Sequence, residues 1–169
     1  MTIAEPHIPT TSTREDGTQL RDLFLFTLGN RVFAVPAEEV EGTAETKLPA
    51  PLPHAPAPIL GVVSVRGHML TVIDPLVLTG DESSGQTSIV PQVISLRGDE
   101  QLALAAESVR ETITIAAADI EKASENPPSE TNLALSGILR HGGETIIVID
   151  PARLFEASVR RKERRRRRF

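Results

Sequence analysis

The sequence predicts a mainly β protein made of two related small barrels or curled sheets that share a core, with only short helices. Three observations carry that expectation. GVVSVRGHMLTVIDP, beginning at Gly61, is written again as GILRHGGETIIVIDP from Gly137, keeping the apolar positions and the closing Ile-Asp-Pro. The apolar content is 40%, yet it holds only five Phe and no Trp or Tyr, and an aliphatic, β-branched composition suits strands. Eleven Gly and 13 Pro in 169 residues demand many turns, so the elements are short.

Taken in order, residues 1–20 are polar, lack periodicity and read as a disordered tail. LFLFTLGNRVFAV then reads as two strands around a Gly29-Asn30 turn, with Phe24, Phe26 and Leu28 on one face. PAEEV follows; Pro36 suits the first turn of a helix and Glu38 and Glu39 suit its N-terminal end, predicting one or two turns that stop near Gly42. Residues 47–58, KLPAPLPHAPAP, carry five prolines and must run as an extended connector, since proline can join neither a central strand nor a helix interior. A Pro-rich ligand for an SH3 domain is the functional alternative, and the scarcity of flanking basic residues argues against it. VVSV, a turn at Arg66-Gly67-His68, and MLTVID form a hairpin whose second arm is apolar on both faces. TGDESSGQTS, residues 79–88, has loop composition and separates the halves.

The second half replays the first. Gly98-Asp99 falls on Gly29-Asn30, Leu102 and Leu104 on Phe33 and Val35, and Val109 on Val40. TITI adds a strand through Ile113 and Ile115, and a polar stretch with Pro127-Pro128 stands where the proline connector stood. DPARLFEASV reads as a helix with Asp150 as N-cap and Pro151 at its first position. Each copy alone is too small to bury a good core, so two copies packed together are expected to share one.

Composition excludes several functions. There is no cysteine, hence no disulfide, thiolate metal site or cysteine nucleophile. The first residues lack the basic and apolar regions of a signal peptide, and no apolar run approaches the ~20 residues of a membrane helix; a cytoplasmic location is expected. The net charge of −5 conceals an asymmetry: residues 160–169, RRKERRRRRF, hold eight of the 18 basic groups and one of the 23 acids. Residues 1–159 are left with ten basic and 22 acidic groups, a charge of −12, which makes the body a poor nucleic-acid surface.

Chemistry is scarce. Asp74 and Asp150 occupy equivalent places in the repeat, as the two carboxylates of an aspartic protease would, but each precedes proline, the pattern of a helix cap rather than of a shared-proton dyad. His7, His54, His68 and His141 share no ligand spacing. No G-x-S-x-G and no phosphate-binding glycine loop occurs. The expected protein is therefore not an enzyme, and no cofactor is expected. Arg66 is the exception among turn residues: it offers a rigid fork of donors suited to a partner carboxylate, and its repeat mate is Gly142, so the fold does not require it.

PILGVVSVRGHMLTVIDP, residues 58–75, resembles the signature of the CheW-like coupling proteins of bacterial chemotaxis, usually close to I-x-G-V-I-N-L-R-G-x-x-x-P-V-I-D. The likeness runs over about residues 22–156 and takes in FTLGNRVFAV, the L-P-x-x-P connector, AAESVRET, the Asp-Ile-Glu at Asp119 and the closing GILR…IIVID. It departs at Ser64-Val65, at Gly42 and Thr43, and at Thr71, where the family usually has Asn-Leu, an acidic residue with Ile, and Pro. The resemblance implies two SH3-like five-stranded β-barrels packed together: a CheW-like domain over 21–157, with subdomains of about 21–80 and 89–157; the basic tail over 158–169 has no counterpart in the family pattern. It also implies a non-catalytic adaptor joining the regulatory domain of a CheA-type histidine kinase to the cytoplasmic tip of methyl-accepting chemoreceptors, at arrays on the inner face of the membrane. The family's contact positions fall on Val40, Gly61, Arg66 and Val109, with a receptor helix expected to lie in a groove between the halves.

Two other readings stand beside this one. A CheW-like adaptor can serve a chemosensory system that controls pili or gene expression. From a different class, a basic-tailed β-barrel can bind nucleic acid, against which the acidic body and the lack of stacking aromatics argue. The arginine-rich tail itself suits solvent, an anionic membrane or an acidic partner.

Overall fold

The computed structural model describes residues 18–46, 48–78, 91–122 and 135–154. Most of the expected N-terminal tail, the 79–88 loop, Pro127-Pro128 and the arginine-rich segment lie outside the described residues. Eleven strands are described: β1 (Leu20–Leu28), β2 (Arg31–Pro36), β3 (Val40–Glu45), β4 (Ile59–Val65), β5 (His68–Ile73), β6 (Gln92–Leu96), β7 (Leu102–Ala106), β8 (Ser108–Ala116), β9 (Glu121–Lys122), β10 (Leu135–His141) and β11 (Glu144–Ile149). A one-turn helix α1 (Pro75–Leu78) and 3-10 turns at Ala37–Glu39, Ala117–Asp119 and Pro151–Arg153 complete the set.

The strands form two sheets, ordered β8-β1-β2-β11-β10-β9 and β3-β6-β7-β5-β4. These sheets do not follow the division into 21–80 and 89–157. The β1–β2 hairpin of the first copy sits in the sheet of the second copy, and the β6–β7 hairpin of the second copy sits in the sheet of the first. Two parallel seams hold the exchanged hairpins, and their registers are images of each other. Phe33 and Ala34 lie beside Ile147 and Val148, while their repeat mates Leu102 and Ala103 lie beside Thr71 and Val72. Exchange follows from the chain's path: Pro36 ends β2, and the Ala37–Glu39 turn carries the chain straight into β3 of the other sheet.

Both ladders are open rather than closed as barrels, but they curl. In the first sheet Arg110 on edge strand β8 reaches Glu144 on β11, three strands away in the order, at 2.9 Å. The side chains of Thr114 and Asp22 (2.6 Å) and of Thr27 and Ser108 (2.6 Å) clip β8 to β1.

Alternation along the central strands splits the apolar residues between two cores. Leu23, Leu25, Ala34, Ile146 and Val148 face the interior of the first sheet. Phe26, Leu28, Phe33, Val35, Ile147 and Ile149 face a larger core that also takes Val72, Ile94 and Leu104 from the second sheet. The expected shared face of Phe24, Phe26 and Leu28 is thus the face that joins the sheets. Phe26 and Phe33 lie directly opposite across the hairpin and stack at 5.5 Å with planes 21° apart, an arrangement worth about 1 kcal/mol beyond area burial.

Where a helix of one or two turns is expected after Pro36, only the Ala37–Glu39 turn forms, and Val40–Glu45 is strand β3. Val40, Gly42 and Ala44 are half-buried while Glu41, Thr43 and Glu45 are exposed, a two-residue period that only a strand satisfies. The expected turns at Gly29-Asn30 and Arg66-Gly67 are present, and β8 extends the expected TITI strand back to Ser108. At the end of β11, Asp150 accepts a hydrogen bond from the Ala152 amide at 3.0 Å and Pro151 opens a 3-10 turn. Asp74 does the same for α1, accepting from the Leu76 amide at 2.8 Å.

Candidate functional site

Asp74 and Asp150, the pair that most resembled catalytic carboxylates, are occupied as caps. Asp74 is buried at 1% exposure, and Asp150 adds an ion pair to Arg153 at 3.4 Å. Among the described residues no three His, Cys, Asp or Glu side chains gather as a metal site. Every described buried side-chain nitrogen or oxygen already has a hydrogen-bond partner.

Surface geometry singles out the mouth of the second sheet. A cleft of about 240 Å³ opens there between the β3 edge (Glu41, Gly42, Thr43) and the tip of the β4–β5 hairpin (Val65, Arg66, His68), floored by Leu70 and Leu96. Because β3 and β4 are the two edges of this sheet, the cleft is where its curl brings the edges together. Its lining comes from both copies, Glu41 to Leu70 from the first and Ser95 to Gln101 from the second, and all of it lies at one end of the second sheet.

Arg66 stands on that rim in a strained conformation. Its φ is 50° and that of Gly67 is 81°, so both turn positions are left-handed, as a two-residue hairpin of this twist requires. The equivalent turn of the other copy uses Gly142 and Gly143, at 58° and 80°. A side chain in this region costs roughly 1–2 kcal/mol that glycine avoids, and the first copy carries it. No hydrogen bond or ion pair among the described residues holds the guanidinium, and Arg66 is exposed. No polar contact with the described residues offsets that strain.

The other expected contact residues fall in different places. Val40 begins β3 opposite Leu96, next to the cleft wall. Val109, its repeat mate, lies on β8 opposite Phe26 in the other sheet. Both are half-buried against the large core, but Val109 does not line the cleft. Gly61 does not either: a β-carbon there would collide with the Ala50 carbonyl of the proline connector, which pairs with Val62 through two 2.9 Å hydrogen bonds. Gly137, its repeat mate, is pressed in the same way by the Glu121 carbonyl.

Three wall residues carry no obvious mark in the sequence: Glu41, Leu96 and Gln101. Gln101 also has positive φ, 53°. The two-residue alternation through Val40, Gly42 and Ala44 is the signal that places Glu41 outward on a strand; nothing in the sequence identifies Gln101.

Comparison with known proteins agrees with this architecture. The profile of the CheW-like domain matches residues 22–159. The chain is 24% identical over 140 residues to "Chemotaxis protein CheW" of Rhizobium meliloti (strain 1021), covering 83% of this chain and 90% of that protein. It is also 24% identical over 131 residues to the protein of the same name from Bacillus subtilis (strain 168), covering 76% and 82%. The crystal structure of the scaffolding protein TtCheW from Thermoanaerobacter tengcongensis superposes with a TM-score of 0.62 at 23% identity, over 76% of this chain and 88% of that one. With the profile spanning most of its length, including both exchanged hairpins and the Arg66 turn, this chain belongs to the CheW-like domain family.

Proposed function

We propose that this protein is a non-enzymatic adaptor that couples the cytoplasmic tips of methyl-accepting chemoreceptors to the regulatory domain of a CheA-type histidine kinase in a chemosensory array. Membership of the CheW-like family supports the adaptor role, and the two curated relatives are both chemotaxis proteins. Among the described residues no helix is long and apolar enough to cross a membrane, which suits a partner recruited by protein contacts. The observation that carries the site is Arg66: an exposed, unpaired guanidinium held in left-handed backbone where the second copy has glycine. Backbone strain kept without structural return is the mark of a contact residue. In this reading the cleft floor of Leu70 and Leu96 takes an apolar side chain of the partner. Val40 flanks it, and Arg66 pairs with a partner carboxylate at the rim. Val109 offers an equivalent half-buried spot on the other sheet, and Gly61 acts indirectly, by letting the proline connector seat against β4.

The test is capture of purified kinase regulatory domain and receptor tip by the parent protein, Arg66→Gly and Arg66→Glu. Arg66→Gly is expected to leave the melting temperature unchanged or higher while weakening capture about tenfold, or ~1.4 kcal/mol, with Arg66→Glu weaker still. Equal capture by all three proteins sinks the site. Co-purification from the native cell tests the adaptor role itself, and a preparation free of any kinase or receptor sinks that.

A further inference from the structure

We propose that the arginine-rich segment 160–169 docks back onto its own chain, in the groove between the β6–β7 turn and the Pro151–Arg153 turn. This groove, about 80 Å³, is walled by Glu39, Leu96, Glu100, Gln101, Pro151 and Ala152. It shares Leu96 and Gln101 with the larger cleft, so the two depressions lie on either side of that pair. Neither Glu39 nor Glu100 has an ion-pair partner among the described residues, although Arg97 stands on the same wall. Glu41 and Asp99, neighbours in sequence on the two sides of the groove, are exposed and add further negative charge.

What selects the occupant is where the chain leaves. Ala152 is itself part of the groove wall, and Leu154 is fully buried beside it in the large core. Arg160 follows Leu154 by six residues, at most roughly 20 Å of extended chain. Eight cations in ten residues are therefore tethered at the threshold of the groove. Such a short tether gives an effective concentration on the order of mM, so an interaction too weak to detect between separate molecules is substantially formed within one. Attraction between so many arginines and a body of −12 is long-ranged at low salt and screened within about 8–10 Å at physiological ionic strength. Of the described acidic surface, the groove is the portion that includes the last described turn, through Pro151 and Ala152. Because the groove adjoins the Arg66 cleft, a protein docking there (on the reading proposed above) must displace the segment, which makes the tail an internal competitor.

The experiment uses the full chain and reads amide chemical shifts by NMR, comparing the parent with a variant in which Arg164, Arg165, Arg166, Arg167 and Arg168 are all Ser. Amides of Glu39, Leu96, Glu100 and Gln101 are expected to differ between the two at low salt and to coincide at about 1 M salt, where charges are screened beyond about 3 Å. The differences should not depend on protein concentration. In the parent, carbodiimide coupling should join Lys162, the one lysine of the segment, to Glu39 or Glu100 of the same molecule. A Glu39→Gln, Glu100→Gln variant with the native tail should lose the shifts at Leu96 and Gln101. Coincident spectra at low salt overturn the proposal. So do differences that grow with protein concentration, which place the tail on a second copy. Phosphatidylglycerol vesicles that bind the parent while its groove amides already match the Ser variant assign the segment to a membrane instead.

Discussion

Gly61 and Arg66 lie five residues apart and illustrate opposite uses of unusual backbone. At Gly61 the glycine is imposed by a neighbour: the Ala50 carbonyl occupies the space a β-carbon needs, and Gly137 repeats the arrangement with Glu121. Gly61→Ala must therefore push the proline connector off β4 and strain a backbone at φ 149°. A loss of about 2–3 kcal/mol in denaturant unfolding is expected; a loss below about 0.5 kcal/mol would show that the connector yields freely. At Arg66 the side chain is the anomaly: its repeat mate is a glycine, Gly142, where a β-carbon would meet nothing within 4 Å. The caps show a third pattern. Asp74 and Asp150 make the same bond to the amide two residues on, but Asp74 is buried and Asp150 is not. Asp74→Ala should cost about 2 kcal/mol and Asp150→Ala under about 1 kcal/mol, because only the buried cap leaves its amide without water. Equal losses in thermal unfolding would contradict that account.

Among the elements, the hairpin tips separate fold from function most sharply. β4–β5 and β10–β11 are built on one pattern, down to the positive φ of both turn residues, yet one tip carries Arg-Gly and the other Gly-Gly. Exchanging the difference is a direct test. Gly142→Arg should cost about 1–2 kcal/mol and bring no gain in partner capture; a gain would mean that the second tip also faces a partner. These hairpins were legible because glycine, β-branched runs and the repeated Ile-Asp-Pro are strong local signals. β3 was not. Its inward residues Val40, Gly42 and Ala44 are mostly small, so the apolar alternation is faint, while Pro36 and two glutamates announce a helix that the chain abandons after three residues. What decides is the pairing of Val40–Glu45 with β6, a partner some fifty residues away that no local propensity encodes. The same limit hid the cleft: Glu41, Leu96 and Gln101 become neighbours of Arg66 only when the second sheet curls.

The duplication of the whole molecule was readable from the sequence, but its entanglement was not. Repetition shows that two copies exist; it does not state which copy's strand lies beside which, since Phe33 can meet Ile147 of the other copy or the equivalent Thr71 of its own. The structure chooses exchange, with β2 on β11 and β7 on β5, and this makes the halves interdependent. Cutting the chain between residues 84 and 85, in the loop composition of 79–88, tests the point. A fragment of residues 1–84 retains β1–β2 with no sheet to join, and its β3 and β5 lose the β6–β7 hairpin that links them. A fragment of residues 85–169 is left in the converse state. Neither buries the large core, to which both halves contribute, and a chain of this length has little stability to spare. Each fragment alone is expected to give the collapsed amide spectrum of an unfolded chain. The two mixed at equal concentration should recover dispersed signals and a cooperative, concentration-dependent melt. If either half folds by itself into a stable domain, the exchanged hairpins are not what holds the protein together, and the contiguous division at 79–88 is the true one.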